Sequence, residues 1–250
     1  MNALATRIPV RRSGRLAPDH ASRWIVQRHH PDWLRTPEPR VGRIQADRMR
    51  AALAWNTFRT LALIEPSFWL RQLHARLFGF DERYRAPEFL DVRLWQSVPA
   101  PGGIDARNDI VDVVLESDWA VWGFLTVFER DVIVTMRDAE GPVPVLRTID
   151  AVARLAGNRC CCVAMIPSSE KTAPIGARLI RRYGVEQLHG RLRHRSEGHN
   201  VLGIGMGTWR TVAAVLANAV RAPAVDRPER LAVQRCLRWL GVHGVQPEDP

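Results

Sequence analysis

Lysine is almost absent from this 250-residue chain: of 36 basic residues, Lys171 is the only one that is not arginine. A mechanism that needs a neutral amine must therefore use Lys171 or do without, because arginine stays protonated and cannot act as a general base. Cysteine is also scarce. There are four, and three are consecutive, Cys160, Cys161 and Cys162, which excludes a disulfide framework and fits a reducing, cytoplasmic setting. Successive strand residues face opposite ways, so only Cys160 and Cys162 could cooperate on one face. Zinc-binding pairs usually keep about two to four residues between them, so core packing is the expectation for these thiols. No apolar run reaches the length of a membrane-spanning helix, and the first residues lack the apolar centre of a signal peptide. Internal repeats are missing as well.

Apolar residues make up 46% of the chain and charged residues 25%, a balance that allows a buried core rather than wholesale disorder. The formal net charge of +10 favours an anionic partner, DNA or RNA foremost, against the alternative of a merely basic solvated surface. Residues 1–44 are rich in arginine, proline and histidine and lack periodicity, so they are expected to form a basic, partly ordered arm. Trp24 and Trp33 lie in that arm, where they could stack on bases or on a partner chain.

From Gln45 to Leu63 an apolar stripe with helical spacing predicts a strong helix, with Arg48, Arg50 and Arg59 on its wet side. Pro66 ends it, Ser67 is placed to cap a second helix over Phe68–Phe78, and Gly79 closes that helix. Leu90–Ser97 alternates as a strand. Ile110–Leu115 and Val121–Phe128 read as two buried strands joined by a hairpin at Ser117–Ala120, and Val132–Met136 continues or follows them. Val145–Ala156 is helical in pattern, Cys160–Ile166 is an apolar strand, and Ala173–Arg182 is expected to be helical. Asn200–Met206 reads as a strand running into a helix that Thr208 can cap, and a last helix covers Arg227–Leu240. Gly203, Gly205 and Gly207 mimic a phosphate loop, but the spacing and the missing lysine favour a plain strand-to-helix junction. His189, His194 and His199 share no helical or strand face and are expected in loops. The order of elements predicts one α/β domain over residues 45–250, a mixed central sheet flanked by helices.

Several phrases stand in a telling order: Leu53-Ala54-Trp55-Asn56-Thr57-Phe58-Arg59 on the opening helix, Leu94-Trp95 before a proline-rich turn, then Val111-Asp112-Val113-Val114. Val145-Leu146-Arg147-Thr148-Ile149-Asp150, Cys160–Ile166, Leu192-Arg193-His194-Arg195 and a late Gly-Thr-Trp complete the series. Together they resemble the PD-(D/E)XK nuclease superfamily, in its restriction-endonuclease-like branch, over roughly residues 45–220. The resemblance implies a carboxylate on each of two adjoining strands holding Mg²⁺, which polarises the phosphate and activates water. A lysine two residues beyond the second acid completes that site.

Asp112 matches the first acid, alone in an apolar strand where an ionised carboxylate is costly unless paired or metal-bound. An ungapped match places Thr126-Val127-Phe128 where Glu-X-Lys belongs. A shift of three residues offers Glu129 as the second acid and Asp131 in the lysine's place, but it reverses the sheet face and needs a bulge. Asp47 is the one acidic candidate near the family's helix-borne acid, with Arg50 at the closer position, and Pro144 stands where the later helix often begins with glutamine. Lys171 lies far along the chain in a polar loop. The resulting expectation is a nucleic-acid-binding pseudoenzyme of restriction-endonuclease-like fold, with Arg11, Arg12, Arg191, Arg193 and Arg195 as phosphate contacts. Two alternatives stand beside it. One is an active Mg²⁺-dependent endonuclease with Asp112 and Glu129 as metal ligands and Asp131 nearby. The other is a partner-binding scaffold, for instance a homodimer, without a nucleic-acid role.

Overall fold

A computed structural model describes residues 53–79, 82, 84–98, 109–127, 144–167 and 200–248. The helices are α1 (residues 53–61), α2 (Leu70–Phe78), α3 (Pro144–Ala156), α4 (Trp209–Ala219) and α5 (Arg227–Val242); the strands are β1 (Leu90–Val98), β2 (Asp109–Ser117), β3 (Ala120–Val127), β4 (Cys160–Pro167) and β5 (Val201–Met206). The described residues fall into two compact units. One takes those from His74 to Thr208, the other those up to Leu73 and from Trp209 onward.

The first unit is a five-stranded mixed sheet in the order β1-β2-β3-β4-β5. β1, β2 and β3 form an antiparallel meander, with Leu94 opposite Val113 and Val113 opposite Phe124. Ser117 organises the tight β2–β3 turn: its Oγ accepts from the Ala120 amide at 3.0 Å and donates to the Ala120 carbonyl at 3.0 Å. β3 and β4 run parallel, and so do β4 and β5. Parallel neighbours cannot be joined by a tight turn, and α3 lies in the chain between β3 and β4 as the crossover demands. The chain is therefore of α/β class, a mixed sheet with flanking helices.

Why α3 packs closely is visible at Gly123. A Cβ there would lie 2.6 Å from a methyl of Val152, so the absence of a side chain on β3 admits the helix. Around this contact Val121, Leu125, Ile149, Val152, Cys161, Val163 and Met165 make one buried apolar cluster. A second set of rings packs from α2 and the loop before β1. Trp122 Nε1 donates to His74 Nδ1 at 3.1 Å, and the Trp122 and Trp119 rings meet edge-on at 5.3 Å. Cys161 and Cys162 are buried and Cys160 is partly exposed; all are free thiols, as core packing requires.

The second unit is helical. α1 buries Leu53, Ala54, Phe58 and Leu61, and the Phe58 ring meets Trp209 of α4 edge-on at 6.5 Å. Cys236 of α5 approaches the Asn56 carbonyl with its Sγ at 3.4 Å. α5 begins with a capping box: the Asp226 side chain accepts from the Glu229 amide at 2.9 Å, and the Glu229 carboxylate accepts from the Asp226 amide at 3.0 Å. The start of α2 differs from the expectation of a Ser67-capped helix from Phe68. Residues Pro66–Phe68 form a 3-10 turn closed by the Trp69 amide on the Pro66 carbonyl, without a side-chain cap, and the helix begins at Leu70. Proline's fixed φ nucleates that tighter turn. Among the described residues no helix is long and apolar enough to cross a membrane.

Candidate functional site

Because β3, β4 and β5 are parallel, their carboxyl ends share one edge of the sheet, marked by the pairs Val127–Pro167 and Met165–Met206. In open α/β sheets this edge is where ligands usually bind. β2 runs the other way, so its beginning lies at the same edge, and that is where Asp112 stands. Asp112 is 4% exposed. Its carboxylate does not await a partner: Oδ2 accepts from the backbone N–H of Thr126 at 2.7 Å. The last regular β2–β3 pair on this side is Val113–Phe124, and beyond it the side chain of Asp112 takes over the task of satisfying β3. A buried carboxylate that accepts an amide hydrogen is far less costly than an isolated one.

Thr126, the residue that an ungapped match puts in place of the second acid, is thus the one whose backbone meets Asp112. Along β3 the sequence Ala-Val-Trp-Gly-Phe-Leu-Thr-Val offers neither an acid nor a base. Glu129 and Asp131 follow the end of β3 and lie outside the described residues, as do Asp47, Arg11, Arg12, Lys171, Arg191, Arg193 and Arg195. The expectations for the arm over residues 1–44, for Val132–Met136, for Ala173–Arg182 and for His189, His194 and His199 fall outside them too. Gly203 and Gly205 belong to β5, and their role is packing. A Cβ on Gly205 would lie 2.1 Å from the Leu77 carbonyl oxygen, and one on Gly203 would lie 3.3 Å from the Phe78 ring.

At the opposite end of β2 the structure brings together charges that sequence reading left apart. Glu116 accepts ion pairs from Arg93 of β1 at 2.6 Å and from Arg159 at 2.8 Å. Arg93 also pairs with Asp91 at 2.8 Å. Arg159 further donates to the Ser117 carbonyl at 2.8 Å and to the Ala156 and Leu155 carbonyls at 3.1 Å each, closing the end of α3. Asn200 completes the clasp, its Nδ2 donating to the carbonyls of Ala153, Gly157 and Arg159. Partners so distant in sequence carry no local signal; only the pairing register of β1 with β2 makes them neighbours. These arginines hold the fold together and are not available to phosphate.

Two groups in the helical unit are shifted by burial. Desolvation pushes the Cys236 thiol up to about 12, against a weaker lowering by the Thr60 hydroxyl. Burial pulls the Arg59 guanidinium down to about 10. Arg59 was expected on the wet side of α1; instead it folds back over Trp55, its guanidinium carbon 4.4 Å from the ring centroid. The spacing of four residues brings the two side chains onto one face.

As a place to hold Mg²⁺, the described part of the sheet edge supplies one carboxylate with an oxygen already committed to an amide. A hard divalent cation asks for several oxygen ligands, and among the described residues no group of three or more His, Cys, Asp or Glu is arranged to hold a metal. What this arrangement does chemically is to fix the carboxyl end of β3 against β2. No protein-family model, curated protein or solved structure matches the chain.

Proposed function

We propose that the chain is a nucleic-acid-binding protein of nuclease-like architecture whose cleavage chemistry is degenerate. The observation that carries this reading is the Asp112–Thr126 hydrogen bond. It supports a first-acid position retained in the fold, turned from metal binding to securing the adjoining strand. The sheet supports the architecture by the sequence of its parts: an antiparallel hairpin bearing the acid, a crossover helix, then parallel strands whose carboxyl ends gather beside it. The surplus of arginine supports an anionic partner, DNA or RNA. No step is routed through a metal, because the described residues do not make up a ligand set.

Incubating supercoiled plasmid with the full chain in Mg²⁺ or Mn²⁺ tests this directly. The expected outcome is no nicking above background, with wild type and Asp112→Ala alike. Metal-dependent cleavage abolished by Asp112→Ala overturns the proposal in favour of an active site completed by Glu129. The binding half is tested by fluorescence anisotropy with a labelled oligonucleotide. Affinity should be measurable at low salt and fall steeply as salt rises; no binding at low salt leaves the partner-binding scaffold as the remaining reading.

A further inference from the structure

We propose that Arg59, stacked on Trp55, is the cationic arm of an oxyanion-binding subsite on α1 that takes a phosphate group. The contrast with other arginines is the starting point. Arg93, Arg154 and Arg159 each reach a carboxylate, and Arg230 is held by the carbonyls of Val225, Ala222 and Pro223. Arg59 is different. Among the described residues it has no ion pair, and its buried Nε has no hydrogen-bond partner. A cation removed from water without a counter-charge is destabilising. Burial accordingly disfavours its charged form.

Its surroundings are unsatisfied as well. On the same turn of α1, the Asn56 Oδ1 and the Thr57 Oγ1 are buried without a hydrogen-bond partner, although Asn56 is 3% and Thr57 0% exposed. Native interiors leave few polar atoms in this state, and each calls for a physical reason. Three on one turn of one helix share a reason most simply: the turn is shaped for a polar ligand.

The chemistry of that ligand follows from the cation's geometry. Stacking on Trp55 uses a face of the guanidinium and restrains its plane. The edge N–H groups form a rigid fork that matches two oxygens of a tetrahedral or planar oxyanion. Phosphate combines that match with the largest charge, and the unpaired guanidinium gains most from it. Both free phosphate and the phosphates of a nucleic-acid backbone carry this chemistry, so the subsite does not depend on the nucleic-acid reading above.

The test uses the full chain as wild type, Arg59→Gln and Arg59→Lys. Thermal unfolding is followed while inorganic phosphate replaces chloride at constant ionic strength, and oligonucleotide affinity is measured by anisotropy. Phosphate is expected to raise the wild-type Tm, as any ligand selective for the folded state does. Arg59→Gln should lose that response while its Tm in chloride is equal to or above that of wild type, since it removes an unpaired charge. Arg59→Lys, which keeps the charge without the fork, should retain only part of the response; if the glutamine variant fails to fold, a full wild-type response in the lysine variant overturns the proposal. A wild-type Tm indifferent to phosphate also overturns it, and so does an Arg59→Gln chain that melts lower yet still responds. If the phosphate response depends on Arg59, an oligonucleotide affinity that drops about tenfold with Arg59→Gln identifies backbone phosphate as the occupant. Unchanged or absent oligonucleotide binding with that response intact identifies free phosphate, and the nucleic-acid reading then fails on its own.

Discussion

A single acid in an apolar strand is conspicuous in any sequence, and Asp112 shows what such a signal contains and what it omits. The cost of burying a carboxylate is legible from residue type; the partner that offsets it is not, because that partner is the backbone N–H of Thr126, a group every non-proline residue carries. The substitutions that separate chemistry from architecture differ by one atom set. Asp112→Asn keeps an oxygen able to accept from Thr126 and should unfold in urea close to wild type. Asp112→Ala leaves the amide without its acceptor and should cost about 1–3 kcal/mol. Equal stability of the two variants would show that the hydrogen bond is not what Asp112 contributes. Cys236 gives a second prediction at this scale. Its folded thiol keeps its proton to about 12, above its ordinary value of 9.0. The folded state therefore binds more protons than the unfolded state in that interval; the contribution is intact below the ordinary value and is lost as pH climbs toward the folded one. Urea midpoints between pH 8 and pH 11 should fall more steeply for wild type than for Cys236→Ala, and the thiol should resist labelling in the native chain at neutral pH.

Elements were legible where the signal is local and missed where it depends on what packs nearby. The strand nature of Val201–Met206 follows from its apolar residues, yet the reason for its glycines emerges only from α2, whose Leu77 carbonyl passes over Gly205. Gly205→Ala places a Cβ against backbone rather than a movable side chain, so destabilisation of about 1–3 kcal/mol or more is expected in denaturant unfolding, with a smaller loss for Gly203→Ala, which meets the Phe78 ring. A tolerant Gly205→Ala variant would reopen the phosphate-loop reading of this segment. α5 is the opposite case, because Asp226, Pro228 and Glu229 declare its start in sequence and the capping box forms as written. Asp226→Ala should cost about 0.5–2 kcal/mol, the usual loss for a side-chain cap. The Ser67 cap looked equivalent on paper, but Pro66 directs the chain into a 3-10 turn first. Arg59 illustrates the same limit: helical periodicity put it among solvated arginines, whereas stacking on Trp55 at a spacing of four residues draws it inward.

For the whole molecule, α/β class could be read from alternating patterns, but strand order and polarity could not, since parallel pairing is set by the crossovers and not by the strands themselves. Charge has the same character. A formal +10 is a property of the sum, while its consequence depends on which arginines are already engaged. Arg93 and Arg159 converge on Glu116 and are spent on the fold; replacing Arg93 by Gln should lower stability and leave the salt dependence of nucleic-acid binding as it was. Replacing Arg191, Arg193 and Arg195 together by Gln should do the reverse. Each phosphate contact contributes about 0.7–0.9 to the slope of log affinity against log salt, so losing three flattens the slope by roughly 2–3 with little change in the urea midpoint. The experiment is a titration of labelled oligonucleotide at a series of salt concentrations for wild type and both variants. A slope unchanged by the triple substitution means the surplus charge acts diffusely, and phosphate contacts must then be sought elsewhere on the chain. A slope altered by Arg93→Gln would instead mean that the Glu116 clasp opens when nucleic acid binds.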